Sequence, residues 1–139
     1  MKNIAIKENH LYNKAYQRGQ RSSGKYTSVY LLRDYAAKRI MKANPQKKYV
    51  NRLGIAVSKK IGGAVQRNRA KRIIRAAYRN IEKDLKTGYL VVISARPAIN
   101  GMKSTDIEKE LRKSFEKLNM FIHSEIAGKI SVPAEEKNR

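Results

Sequence analysis

RLGIAVSKKIGGAVQRNRAKRIIRAAYRNIEKDLKTGYLVVISAR, residues 52–96, is the stretch that decides how this chain folds. Its first seven residues alternate. Leu53, Ile55 and Val57 point one way and Gly54, Ala56 and Ser58 the other, which is the period of a strand whose second face carries almost no side chain. Gly62 and Gly63 end that pattern and open a helix over about 64–86. On a wheel of about 100° per residue, Ala70, Ile73, Ile74, Ala77 and Ile81 share one apolar arc. Asn68, Lys71, Arg72, Arg75 and Arg79 share the opposite arc, with Arg67 and Arg69 on its flanks. Gly88 precedes a second strand, YLVVISAR (89–96), apolar on both faces and therefore central in its sheet.

The helix has an unusual charge pattern. No carboxylate lies between Lys59 and Ile81. A solvated helix gains support from opposite charges three or four residues apart; this one carries self-repulsion instead, so an external polyanion is expected to supply the counter-charge. Guanidinium groups at Arg67, Arg69, Arg72 and Arg75 suit forked bonds to phosphate and stacking on bases. Lys59, Lys60 and Lys71 add point charges, and Asn68 can bond a base edge, a phosphate or its own backbone. The Gly62-Gly63 pair reads as a turn and helix entry, with N–H groups turned to phosphate as the alternative. It is not a P-loop, because no Lys-Ser/Thr follows at the required spacing.

Working outward, residues 8–18, ENHLYNKAYQR, predict a short helix stopped by Gly19. Leu11 and Ala15 share one side of it, and Tyr12 and Tyr16 the adjoining side, four residues apart. Residues 21–25 are a turn-rich loop, and 26–32, YTSVYLL, a strand. Residues 33–51 are basic, contain Pro45 and have no clean period: a long loop or ragged hairpin, with a helical turn over 35–41. After a loop at 97–101, Ser104 or Thr105 caps a last helix, with Glu108 as capping-box partner of Thr105. It buries Ile107, Leu111, Phe115 and Leu118. The reading is α+β: a single two-layer domain over 1–118 and a C-terminal extension, 119–139, frayed after Ser131.

Composition narrows the class. Residues 1–80 hold 21 Lys or Arg against Glu8 and Asp34 alone, while the remainder holds 11 against nine acids. Such a field favours nucleic acid or an anionic membrane. No apolar run reaches the roughly 18 residues of a spanning helix, and the N-terminus lacks the apolar core of a signal peptide. A soluble, cytoplasmic, nucleic-acid-binding protein is the expectation, with no membrane and no small-molecule substrate. The chain has no cysteine, hence no disulfide or thiolate site. His10 and His123 are isolated. Asp106, Glu108 and Glu110 read as helix-dipole and i, i+4 partners of Lys109, Arg112 and Lys113, not as a metal site. No catalytic residue, metal ligand or cofactor is assigned to the protein itself.

The strand RLGIAVSKKIG, then AVQRNRAKR, then IIRAAYR, resembles the protein subunit of bacterial ribonuclease P. The likeness runs in element order from residue 8 to about 118 and is most specific at 58–75. It implies the order αβββαβα on a small mixed sheet, with an uncommon left-handed crossover around the Arg-rich helix. It also implies partners: a catalytic RNA, which performs hydrolysis with bound Mg2+, and precursor tRNA, whose 5′ leader is removed. By the resemblance Lys59, Lys60, Arg67, Asn68, Arg69, Lys71, Arg72 and Arg75 bind the catalytic RNA. Tyr12, Tyr16, Gly54, Ala56 and Ser58 bind the leader. The family often has Phe where this chain has Tyr12 and Tyr16; both keep an aromatic plane for stacking. From the residues alone, Gly54, Ala56 and Ser58 either make room for a helix or floor a groove. A ribosomal or other structural RNA-binding protein of similar shape is the alternative.

Overall fold

The computed structural model of the chain describes residues 3–6, 9–34, 51–86 and 88–122. The loop or hairpin expected at 35–50, with its helical turn, and the tail beyond 122, with His123, lie outside them. The described order is β1 (Asn3–Ala5), α1 (Asn9–Arg18), β2 (Gln20–Ser23), β3 (Thr27–Arg33), β4 (Asn51–Ala56), α2 (Ala64–Ile81), β5 (Tyr89–Ala95) and α3 (Ser104–Lys117). Short 3-10 turns lie at Lys59–Ile61, Glu82–Asp84 and Pro97–Ile99. The molecule is α+β, with the expected αβββαβα preceded by one further strand. Its mixed sheet has the order β1-β4-β5-β3-β2. β4 and β5 are parallel neighbours joined across α2, β1 is parallel to β4, and β3 and β2 complete the sheet antiparallel.

β5 takes the centre because both of its faces are apolar. Val91, Ile93 and Ala95 join Ile73, Ile74, Ala77 and Tyr78 of α2 and Ile107, Leu111 and Phe115 of α3 in the main core. Leu90 and Val92 face the other way, into a smaller core with Ile6 and with Leu11 and Ala15 of α1. The sheet and the α2–α3 pair are thus the two main layers, and α1 covers part of the second face. Each aliphatic side chain taken fully out of water contributes about 1.5–3 kcal/mol. The α2 wheel sorts as expected: Ala70, Ile73, Ile74, Ala77 and Ile81 are buried, together with Tyr78, while Asn68, Lys71, Arg72, Arg75 and Arg79 are exposed.

Several boundaries differ from the sequence reading. Residues 20–23, QRSS, form an edge strand where a loop was expected. They lack β-branched residues, but β3 supplies the pairing, from Gln20 opposite Leu31 to Ser23 opposite Ser28. β4 ends at Ala56, so Ser58 leaves the strand; its Oγ accepts from the Lys60 N–H at 3.3 Å and caps the turn before α2. Gly62 closes that turn at φ 140°, a region that favours glycine. α2 stops at Ile81, short of residue 86, because the tighter 3-10 turn brings Leu85 inward, where it bridges to Phe121. α3 starts from Lys103, whose N–H donates to Asp106 Oδ2 at 3.1 Å, in place of a Thr105–Glu108 box. The core also reaches past residue 118: Met120 is buried, and the Phe121 ring lies 6.4 Å from Phe115.

Candidate nucleic-acid interface

The sheet register lines up one row of side chains beneath α1. Arg21 lies opposite Tyr30, Tyr30 opposite Val92, and Val92 opposite Gly54, so four strands contribute to one line. Tyr12 and Tyr16 of α1 belong to this row. Gly54 admits the Tyr12 ring: a Cβ there would stand 2.6 Å from its Oη and 2.7 Å from Cε1 and Cζ. Tyr16 is 41% exposed and meets Tyr30 edge to face at 4.8 Å, and the Arg21 guanidinium lies 5.6 Å from the Tyr30 centroid. Burial raises the phenol pKa of Tyr12 and Tyr16, and for Tyr16 the neighbouring Tyr30 and Tyr12 phenols add to it. Both rings therefore stay neutral donors at physiological pH.

The next row is Ser23, Ser28, Ser94 and Ala56, small on all four strands. The alternating pattern already set Gly54 and Ala56 on one strand face, while the places of Arg21, Tyr30 and the serines on this face come from the register alone. Tyr30 sits within a segment read as a strand, yet its neighbours across the sheet depend on a register that pattern alone does not give. Ser58, expected on this floor, is instead the exposed cap described above. What the surface offers is flat aromatic area beside a low, partly polar shelf, the arrangement on which unpaired bases stack.

The second surface is cationic. α1 and α2 pack on opposite faces of the sheet, and residues 57–63 lead from the Ala56 end of β4 into α2. Lys59 and Lys60 are exposed on that turn, and Asn68, Lys71, Arg72 and Arg75 on the helix. Arg67 and Arg69 behave differently. Arg69 is half-buried and donates from Nη2 to the Met102 carbonyl at 2.7 Å, tying α2 to the loop before α3. Arg67 is half-buried as well, and its Nε is buried with no hydrogen-bond partner among the described residues. An unmade bond of that kind costs about 1–3 kcal/mol.

The acids have structural positions. Asp34 makes a two-pronged ion pair with Arg52, at 2.7 and 2.9 Å. Glu110, expected as a surface partner on its own helix, is a long-range clamp. It accepts from the N–H groups of Tyr26 and Thr27 and from Thr27 Oγ1, the last two at 2.7 Å. Glu108 accepts from Asn80 at 2.8 Å and from Arg112 at 3.1 Å, and these bonds, Asn80 first, hold its carboxyl below the usual value. Among the described residues no group of three or more His, Cys, Asp or Glu could hold a metal ion.

Comparison with known proteins places this geometry. A profile of the family Ribonuclease P matches residues 1–119. The chain belongs to the Ribonuclease P protein family. It is 36% identical to the ribonuclease P protein component of Clostridium acetobutylicum, over 90% of this chain and 97% of that one. With the Brevibacillus brevis protein of the same name it shares 37% identity, over 76% and 75%. The solved ribonuclease P protein of Staphylococcus aureus superposes with a TM-score of 0.68 at 27% identity, covering 84% of this chain and 96% of that one. The protein from Thermotoga maritima, at 18% identity and a TM-score of 0.63 over 79% and 93%, shares the fold. The two surfaces of this ribonuclease P family member thus sit on the family's own framework.

Proposed function

We propose that this chain is the RNA-binding protein subunit of ribonuclease P, acting in the cytoplasm as the partner of a catalytic RNA that removes the 5′ leader from precursor tRNA. Hydrolysis, with its Mg2+ ions, belongs to the RNA in this reading. The protein is one RNA-binding domain with two tasks. Tyr12 and Tyr16, over Gly54 and Ala56 and beside Tyr30 and Arg21, stack the unpaired leader. Lys59, Lys60, Arg67, Asn68, Lys71, Arg72 and Arg75 neutralise phosphates of the catalytic RNA, with Arg69 contributing charge while it holds Met102.

The observation that carries the reading is the tyrosine face: an exposed ring and a half-buried ring one turn apart, the half-buried one set over a glycine that leaves room for it. Stacking is sequence-tolerant, because every base has a π-face, and leaders differ from one tRNA to the next. Among the described residues no helix is long and apolar enough to cross a membrane. The test is direct. Protein freed of RNA, incubated with precursor tRNA and Mg2+ at stoichiometric levels, is expected to cleave nothing, and added catalytic RNA to restore cleavage at the mature 5′ end. Cleavage by the RNA-free protein would reject the division of labour.

A further inference from the structure

One more basic surface lies in the half of the chain whose overall charge is nearly balanced. A groove of about 370 Å³ opens between the β2–β3 turn and α3, lined by Ser23, Gly24, Tyr26, Lys109, Lys113 and Lys117. The three lysines recur every four residues, so they stand on one face of α3 along about 12 Å of helix, and all three are exposed. Lys25 joins them from the turn, its Nζ 5.7 Å from the Tyr26 centroid. Two carboxylates, Asp106 and Glu110, also line the groove. Both already accept protein hydrogen bonds: Asp106 from the Lys103 N–H, Glu110 from Tyr26 and Thr27. The groove therefore presents four lysines and two carboxylates beside an aromatic ring, with Glu110 turned onto the backbone at 26–27.

The groove meets the tyrosine face at the β2 edge of the sheet, α3 packing on the face opposite α1. Ser23 lines it and also ends the row of small residues that crosses the sheet from Ala56 through Ser94 and Ser28. Ser23 Oγ lies 3.2 Å from Ser28 Oγ and accepts from Arg21 Nε at 2.8 Å, and Arg21 in turn covers Tyr30. β2 is the edge strand at this end of the sheet, so nothing in the sheet blocks passage over it. We infer that the leader held on the tyrosines continues along this row, over β2, into the α3 groove, where Lys109, Lys113 and Lys117 bind its more distal phosphates. This extends, and rests on, the leader reading above. The protein then contacts a longer stretch of the leader than the tyrosine face alone can hold.

The test uses holoenzyme reconstituted with a Lys109→Gln, Lys113→Gln, Lys117→Gln variant and, in parallel, with Tyr12→Ala, Tyr16→Ala. Affinity is measured over a salt series for mature tRNA and for precursors with a short leader, ending on the tyrosine face, and a long one. The lysine variant is expected to bind the long-leader precursor several-fold more weakly, with a salt slope flatter by about 2, the sum of three single-strand contacts. Its affinities for short-leader precursor and mature tRNA are expected to hold. Equal losses on all three ligands would assign the lysines to the catalytic RNA or the tRNA body and overturn the proposal. No loss on the long leader, with the tyrosine effect intact, would overturn the groove alone. No effect of the tyrosine pair on either leader would overturn the tyrosine face and the track with it.

Discussion

Tyr12 and Gly54 touch because one of them lacks a side chain. A strand glycine weakens its strand, so its presence opposite Val92 is explained by the ring that occupies its space. Two outcomes follow. Replacing Tyr12 and Tyr16 with Ala is expected to weaken binding of precursor tRNA by the holoenzyme while mature tRNA binding holds, since each stacked base contributes about 1–3 kcal/mol. Gly54→Val, which leaves both tyrosines in place, is expected to lower precursor affinity in the same direction by pushing the Tyr12 ring off the sheet. Its cost in melting temperature should be small, because the half-buried ring is free to swing toward solvent. Equal losses for precursor and mature tRNA, or a large fall in melting temperature for the tyrosine pair, would return these residues to a packing role.

At the scale of the element, α2 separates two kinds of arginine that its sequence presents alike. Arg69→Ala removes the bond to the Met102 carbonyl and is expected to lower stability by about 1–2 kcal/mol in urea titration. Arg72→Ala, on the exposed face, is expected to leave the urea midpoint in place and to weaken RNA binding. A reversed pattern would remove the distinction. The wheel placed Arg69 on a flank but could not show that Met102 would lie beneath it, because that contact joins residues 33 apart.

The contact between α2 and α3 has its own pH signature. The Glu108 carboxyl is held below its ordinary value of 4.5 by Asn80 and then Arg112. A depressed carboxylate contributes stability that is fully present above the unfolded value and is lost as pH falls through the folded one. Glu108→Gln is therefore expected to flatten the acid limb of a stability profile below about pH 4.5 and to leave neutral pH little changed in shape. An unaltered acid limb would place the carboxyl outside the clip. The strands were unequally legible for related reasons. β5 announced its central place by being apolar on both faces. β2 was silent, since QRSS has no periodic hydrophobe, and its strand character comes from β3 and from Glu110, 83 residues from Thr27.

For the whole molecule, charge was the most legible property and its partition the least. The cationic face of α2 follows from period alone, whereas Ser58's departure from the strand, Arg67's orphan Nε and the serine row required the register. Because Lys71, Arg72 and Arg75 are exposed and lie off the core arc, replacing all three with Ala is expected to keep the melting temperature. Binding to the catalytic RNA should lose salt dependence, by roughly 0.7–0.9 in slope for each phosphate contact removed. An unchanged slope would assign the face to solvent.

The central place of β5 also has a consequence in time. Residues 1–80, with 21 of the 32 basic side chains, are synthesised before Tyr89–Ala95. Until then β4 and β3 share no neighbour, α1 has no Leu90 or Val92 to rest on, and α2 has no Val91 or Ile93. Domains fold as units during synthesis at about 5–20 residues per second, and pairings distant in sequence come late. Until then the nascent chain therefore carries most of its positive charge on an incomplete sheet, limited to the β2–β3 and β1–β4 pairings. The strand that completes the sheet is also the one on which both cores close.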